Sequence, residues 1–575
     1  MLTLGTRRIF QKKKTIMDFI YLNEVSVIAT IFGGFIVVFG LVSYYIKERL
    51  YLSESLLCLI VGIIIGPYVL NVIEPDKWGN VDIITREFTR VVISIQVMAA
   101  GVALPKAYLW KELKSLTVLL VPVMSWMWIV SALAIWLLIP NVSILEALMI
   151  SSCVTPTDPV LANSVVKGRY AEKHVPNHVR NIVSAESGAN DGLGYPFLFL
   201  AIYLMQMPPG EAIGKWVYFI LGYQIVLSII IGFIIGYVAR KLLYFAEARK
   251  LIDKEIFMTY AIVLALFIMG AVSLIGSDDI LACFIAGNSF TWDDWFRKET
   301  AESHFQDVID LLLNLAIFVY LGTIIPWTSF DNEVLGLSYW RLIVISIIIL
   351  LFRRLPIVMA CYKIIPAIKT HREGIFAGWF GPIGVGAVFY AQVAKEQFAE
   401  TDRVRELILP VVFFLVIASI TIHGLSVPMI KLGKRVNTIT ISRTKSIRQG
   451  QLDVLTKTKI IQGTPSTSSS TKIDEHEKPI AENDIVPDFT IDINTTGLNE
   501  RILASLPLDI DQDSHEFSIY EEDDNYIVED ETDGKVYVIN NSEAKPAKLQ
   551  EASTSDNEPR KIFSLFKKSP EQNDR

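Results

Sequence analysis

The chain has 575 residues, 52% of them hydrophobic, with a positive mean hydropathy, which is too apolar for an ordinary soluble protein. Its formal net charge of −7 is a property of the end of the chain: 19 Lys/Arg and 27 Asp/Glu fall between Lys431 and Arg575, leaving 34 and 33 for the first 430 residues. That acidity excludes a nucleic-acid partner, whose phosphates would be repelled.

The N-terminus opens on a basic cluster, "RRIFQKKK". From about Glu24 to Ile430 there follows a succession of apolar runs, at about 24–46, 52–70, 84–104, 114–139, 144–166, 178–206, 215–240, 255–275, 278–290, 307–326, 339–364, 372–394 and 405–430. Most approach the ~20 residues that cross a hydrocarbon core as helix. The chain is therefore read as an all-α polytopic membrane protein of about thirteen spans. A cleaved signal peptide is not expected, because the first run is long for an h-region and no small-residue cleavage site is evident.

Lys and Arg crowd the loops after runs 1, 3, 5, 7, 9 and 11, as in "KGRYAEKHVPNHVR" and "RKLLYFAEARKLIDKE". By the positive-inside rule that side is cytoplasmic, so thirteen spans put the C-terminus inside and the N-terminus outside. The basic N-terminal cluster fits a twelve-span alternative with both ends inside. Four cysteines, Cys58, Cys153, Cys283 and Cys361, lie singly in apolar runs, without the spacing of a metal site or disulfide framework. The expected division is an N-terminal segment at 1–20, a transmembrane domain at 21–432, a basic juxtamembrane segment at 433–450 and a mostly disordered, regulatory tail at 451–575. "TPSTSSST" reads as a polar linker, "EEDDNYIVEDETDG" as an acidic run poor in core-forming residues, and "KVYVI" and "IFSLF" as short apolar islands.

Polar groups inside the apolar runs carry the functional reading, since each ionisable group at bilayer depth costs ~2.5 kcal/mol or more. In "SAESGANDGLGYPF" (184–197), Glu186 with Asn190 and Ser187 with Asp191 are i, i+4 pairs on adjacent helical stripes. A carboxylate beside a hydroxyl offers hard oxygen ligands to a small cation, and a partly desolvated carboxylate can take up a proton instead. In "CVTPTDPVLANSVV" (153–166), Pro156 and Pro159 should break the fifth run at mid-membrane, with Thr157 and Asp158 inside the break. Transporters hold ions at such breaks. Arg353 and Arg354, in "LLFRRLPIVMA", need a carboxylate partner or a route to water, and Glu186 is the candidate. Asp278 and Asp279, opening the short ninth run, could line an entrance, whereas Asp293 and Asp294 read as a solvated loop. His423 in the last run could titrate near neutral pH. "GPIGVGAVF" (381–389) supplies small residues for close packing, and is no phosphate loop, lacking a following lysine and serine or threonine in register.

"TPTDPVLANSVV", "VRNIVSAESGANDG", "IDLLLNLAIFVYLGTIIPW", "FRRLP", "GPIGVGAVF" and "LGKRVNTIT" together resemble the fungal plasma-membrane sodium/proton antiporters of the monovalent cation:proton antiporter superfamily, over residues 20 to 445. The resemblance implies thirteen helices in two inverted repeats with broken crossover helices, a core domain and a dimerisation domain, and elevator-like alternating access. It implies Na+ and proton binding at Asp191, with Asn190 beside it, Thr157 and Asp158 at the crossover of the unwound helices, and a buried pair of Glu186 with Arg353 or Arg354. It also implies a homodimer in the plasma membrane with a cytoplasmic tail open to regulators, Na+, Li+ or K+ as cargo against protons, and no cofactor. The alternatives are a cation channel or a membrane sensor. An intramembrane aspartyl protease is disfavoured, because "GAND" is not "GxGD" and no "YD" partner occurs.

Overall fold

A computed structural model describes residues 24–45, 52–159, 161–162, 175–300 and 305–426, and three strands at 517–522, 525–530 and 536–540. The N-terminal basic cluster, most of "KGRYAEKHVPNHVR", the juxtamembrane segment at 433–450, "TPSTSSST" and "IFSLF" lie outside the described residues. The chain divides into two units, Met1–Pro479 and Ile480–Arg575.

The described part of the first unit is helical, and every one of the thirteen apolar runs carries helix. In chain order these are α1 (Glu24–Tyr45), α2 (Glu54–Ile65), α3 (Val81–Ala103), α4 (Leu113–Leu138), α5 (Ile144–Cys153), α6 (Asn177–Asn190), α7 (Gly194–Gln206), α8 (Pro209–Ala248), α9 (Lys254–Leu274), α10 (Asp279–Phe290), α11 (Phe305–Thr323), α12 (Tyr339–Phe352), α13 (Leu355–Cys361), α14 (His371–Trp379), α15 (Val385–Lys395) and α16 (Arg403–Ser426). Seven stretches are uninterrupted enough and apolar enough to cross a membrane by themselves. The rest are short, charged at one end or broken, and the breaks are the informative part.

Each break has a cause in the sequence. The fifth run stops at Cys153, where Pro156 and Pro159 cannot continue the hydrogen-bond ladder. The sixth run passes through a turn between Asn190 and Gly194, so Asp191 is the C-cap of α6. The eleventh run divides at Arg353–Arg354 because Pro356 sits in the first turn of α13. The twelfth run, expected as one span of closely packed small residues, is also broken: α14 ends before Phe380, and residues 380–384 run extended through Gly381 and Pro382 into α15. The helix starts are capped as the sequence dictates. Ser143 with Glu146 opens α5 and Thr370 with Glu373 opens α14, both as reciprocal capping boxes.

Close helix crossings fix the scaffold around these breaks. Gly62 on α2 and Gly322 on α11 meet backbone to backbone, and a Cβ at Gly62 would fall 2.9 Å from the Gly322 Cα and nearer still to the Val319 carbonyl. Gly62→Val is therefore expected to destabilise the fold by about 1–3 kcal/mol or more, read as a lower melting temperature in detergent. A melt matching that of the unaltered protein would contradict the crossing.

The described residues of the second unit are three short strands within and beside the acidic run. Strands β1 (Phe517–Glu522), β2 (Asn525–Asp530) and β3 (Val536–Asn540) form an antiparallel sheet in the order β1-β2-β3, with Phe517 opposite Asp530 and Asn525 opposite Asn540. The acidic run contains "NYIV", and "KVYVI" follows it, so aromatic and β-branched residues of high strand propensity interrupt the carboxylates.

Candidate ion-binding site

Two non-helical segments, 154–158 after α5 and 380–384 before α15, meet at the centre of the site. The Asp158 amide donates to the Pro382 carbonyl at 2.9 Å. The Asp158 carboxylate then caps helix starts on both sides, accepting from the Leu161 amide at 3.2 Å and the Val385 amide at 2.5 Å. A carboxylate at helix N-termini satisfies orphan donors and opposes the positive dipole ends. Asp158 is buried and its oxygens are committed to the backbone, so it holds the crossover together. Ser419 of α16 accepts from the Ile383 amide at 2.7 Å and secures the second segment.

Thr157 joins this crossover to α6. Its amide donates to Asn190 Oδ1 at 3.1 Å, the Asn190 Nδ2 group donates to Thr157 Oγ1 at 2.8 Å, and Thr157 Oγ1 lies 3.0 Å from Ser187 Oγ. Three of the expected residues, Thr157, Ser187 and Asn190, thus form one hydrogen-bonded cluster, with Asp191 next in sequence. Asp191 keeps the helical relation to Ser187, its amide donating to the Ser187 carbonyl at 3.3 Å. The Tyr390 hydroxyl of α15 donates to the Asp191 carbonyl at 2.5 Å. Asp191 itself is 1% exposed, and neither of its carboxylate oxygens has a hydrogen-bond partner among the described residues. Buried polar atoms are almost always satisfied, so a buried carboxylate with two open oxygens marks a place for a proton or a cation.

The two arginines have different tasks. Arg354 grips Glu186 through both oxygens, at 2.5 Å from Nη1 and 2.6 Å from Nη2, and donates from Nε to the Ala377 carbonyl at 2.9 Å. Arg353 makes no ion pair among the described residues. It donates to the Val154 carbonyl and, at 2.6 Å, to the Gly381 carbonyl, one in each non-helical segment. It thereby satisfies carbonyls that the helix breaks leave open, a role that the residue types alone did not reveal. Tyr390 and Ser419 were likewise missed, since a Tyr or Ser in an apolar run gives no signal of which backbone group it reaches.

The remaining candidates lie elsewhere. Asp278 caps α10, accepting from the Leu281 amide at 2.9 Å, and its second oxygen is buried without a partner among the described residues. Asp279 pairs with Arg90 of α3 at 2.7 Å. Both are buried. His423 is 4% exposed and packs its ring against Trp379 and Phe380, with centroids at 5.5 and 6.3 Å. The second acidic pair is divided: Asp293 is exposed, as expected of a solvated loop, and pairs with Arg240, whereas Asp294 is 8% exposed and holds Arg297 at 2.6 Å.

Comparison with known proteins agrees with this geometry. Residues 34–432 match the transmembrane sodium/hydrogen exchanger family. The chain is 42% identical over 500 residues to a probable Na+/H+ antiporter of Schizosaccharomyces pombe, covering 82% of this chain and 65% of that protein. It is 44% identical over 429 residues to the Na+/H+ antiporter 2 of Zygosaccharomyces rouxii, covering 71% and 53%. The match thus spans roughly half to two thirds of the length of these two relatives. Among solved structures, the sodium proton antiporter MjNhaP1 of Methanocaldococcus jannaschii superposes with a TM-score of 0.54 at 18% identity, covering 71% of this chain and 99% of that one, which shows a shared fold. With that fold, a family match over 399 residues and a crossover of two broken helices, the chain belongs to the sodium/hydrogen exchanger family.

Proposed function

We propose that the protein is a secondary active antiporter of the plasma membrane, and not an enzyme, that exchanges cytoplasmic Na+, and also Li+ or K+, for external protons. The observation that carries the reading is Asp191, a buried carboxylate with two unpartnered oxygens at the end of α6, beside the crossover of two broken helices. Protonated Asp191 and cation-bound Asp191 are the two cargo states, and a single carboxylate cannot hold both at once. Ser187 and Asn190, which precede Asp191 at the end of α6, and Thr157, bonded to both, supply neutral oxygens suited to a hard cation. Asp158, Arg353 and the Glu186–Arg354 pair hold the unwound segments in place, so the chamber keeps its shape when its occupant changes. Homodimerisation and regulation through the C-terminal tail enter this proposal from family membership, and contact of 433–450 with anionic lipid enters it from the basic charge of that segment.

Competition has a direct kinetic consequence. Lowering pH on the side where Na+ binds should raise the apparent KM for Na+, by up to about tenfold per pH unit by mass action, and leave the maximal rate nearly unchanged. Initial rates in proteoliposomes across a pH series measure this. An apparent KM independent of pH would rule out a shared site.

A further inference from the structure

We propose that Gly386 sets the size of cation that the Asp191 chamber accepts. The inference deepens the exchange reading and rests on it. Gly386 is in the first turn of α15, and the helix is held on either side of it in sequence: the Val385 amide by Asp158, and the Tyr390 hydroxyl, one turn on, by the Asp191 carbonyl. The helix face opposite Asp191 therefore cannot easily retreat. A Cβ on residue 386 would stand 2.8 Å from Asp191 Oδ1, 3.4 Å from its Cγ and 3.7 Å from Oδ2. The first separation is closer than side chains tolerate, so any larger residue would occupy the space directly in front of an oxygen that has no other partner.

Glycine is a poor helix residue, and here its missing side chain leaves room at a carboxylate. That room matters in proportion to the size of the ion. Li+ draws its ligands close and needs little space beyond the oxygen, whereas K+ places its centre and its other ligands further out. Selectivity among ions that share ligand chemistry is decided by cavity size and ligand number. The small residue therefore widens the range of cations toward the larger ones, and the first methyl group added there should cut K+ before Na+ and Na+ before Li+.

The test is cation-driven proton exchange in proteoliposomes with Li+, Na+ and K+, comparing the unaltered protein, Gly386→Ala and a packing control, Gly374→Ala. The atoms nearest a Cβ at Gly374 belong to Tyr362 and Met359, at 3.2 and 3.3 Å, and not to Asp191. The expected result is that Gly386→Ala lowers kcat/KM for K+ relative to Li+ by about tenfold or more, while the control leaves the ratios unchanged. An equal loss for all three ions in Gly386→Ala would assign the glycine to packing and overturn the inference, leaving the exchange reading intact. No cation-driven proton movement by the unaltered protein would overturn the exchange reading itself. Should Gly386→Ala not fold, the melting temperature of the unaltered protein in LiCl, NaCl and KCl decides: stabilisation by K+ as well as Na+ is expected, and stabilisation by Li+ and Na+ alone contradicts an open chamber.

Discussion

Asp191→Asn is expected to reduce cation-driven proton exchange by on the order of 10²- to 10⁴-fold while the protein still folds. The carboxamide has the shape of the carboxylate but neither titrates nor carries charge. The two Asp191 oxygens take no hydrogen bond among the described residues, so the fold does not depend on them. The Asp191 amide and carbonyl, which do make contacts, are untouched by the substitution. The variant should elute as a single species in size exclusion, and its melting temperature should no longer rise with added Na+, since only a ligand that binds the folded state stabilises it. A variant that retains Na+-dependent stabilisation would move the cation away from Asp191.

The second large effect concerns the buried ion pair. Glu186→Ala or Arg354→Ala leaves its partner charged in a dry interior, where Glu186 is 2% and Arg354 3% exposed, and each should lose about 3–5 kcal/mol of stability. The double substitution Glu186→Leu/Arg354→Met should recover much of that loss, because two apolar groups of similar volume leave no unpaired charge. Melting curves of the two single variants and the double variant form the cycle that measures it. Single variants as stable as the parent would mean that the pair is solvated. Arg353→Ala is a different lesion: it removes donors from the Val154 and Gly381 carbonyls and should loosen the crossover without stranding a carboxylate.

The sequence made some of this visible and hid the rest for physical reasons. The break in the fifth run was legible because two prolines and an aspartate in five residues cannot form a stable span. The polar cluster from Glu186 to Asp191 was legible from i, i+4 spacing and the cost of charge in hydrocarbon. The break in the twelfth run was not: one proline among glycines also fits a kinked helix packed closely on its neighbours, and only the Asp158–Val385 contact, 227 residues apart in sequence, distinguishes the two. Likewise Arg353 and Arg354 are chemically identical neighbours. Their division of labour depends on the backbone turn that Pro356 imposes, which sends one side chain to Glu186 and the other to two carbonyls. Asp158 lies in the break that the prolines announce, and composition does not reveal that its carboxylate caps two helix starts. In the tail, the count of acidic residues gave no sign that "NYIV" and "KVYVI", rich in aromatic and β-branched residues, carry strands.

The most direct test of the account is a dye-reported pH gradient across sealed proteoliposomes, challenged in turn with Na+, Li+ and K+, for the parent protein and for Asp191→Asn. The account predicts that cation addition collapses the gradient with the parent and leaves it standing with the variant. A folded parent that moves no protons at any cation concentration, or a variant that exchanges as the parent does, would contradict it.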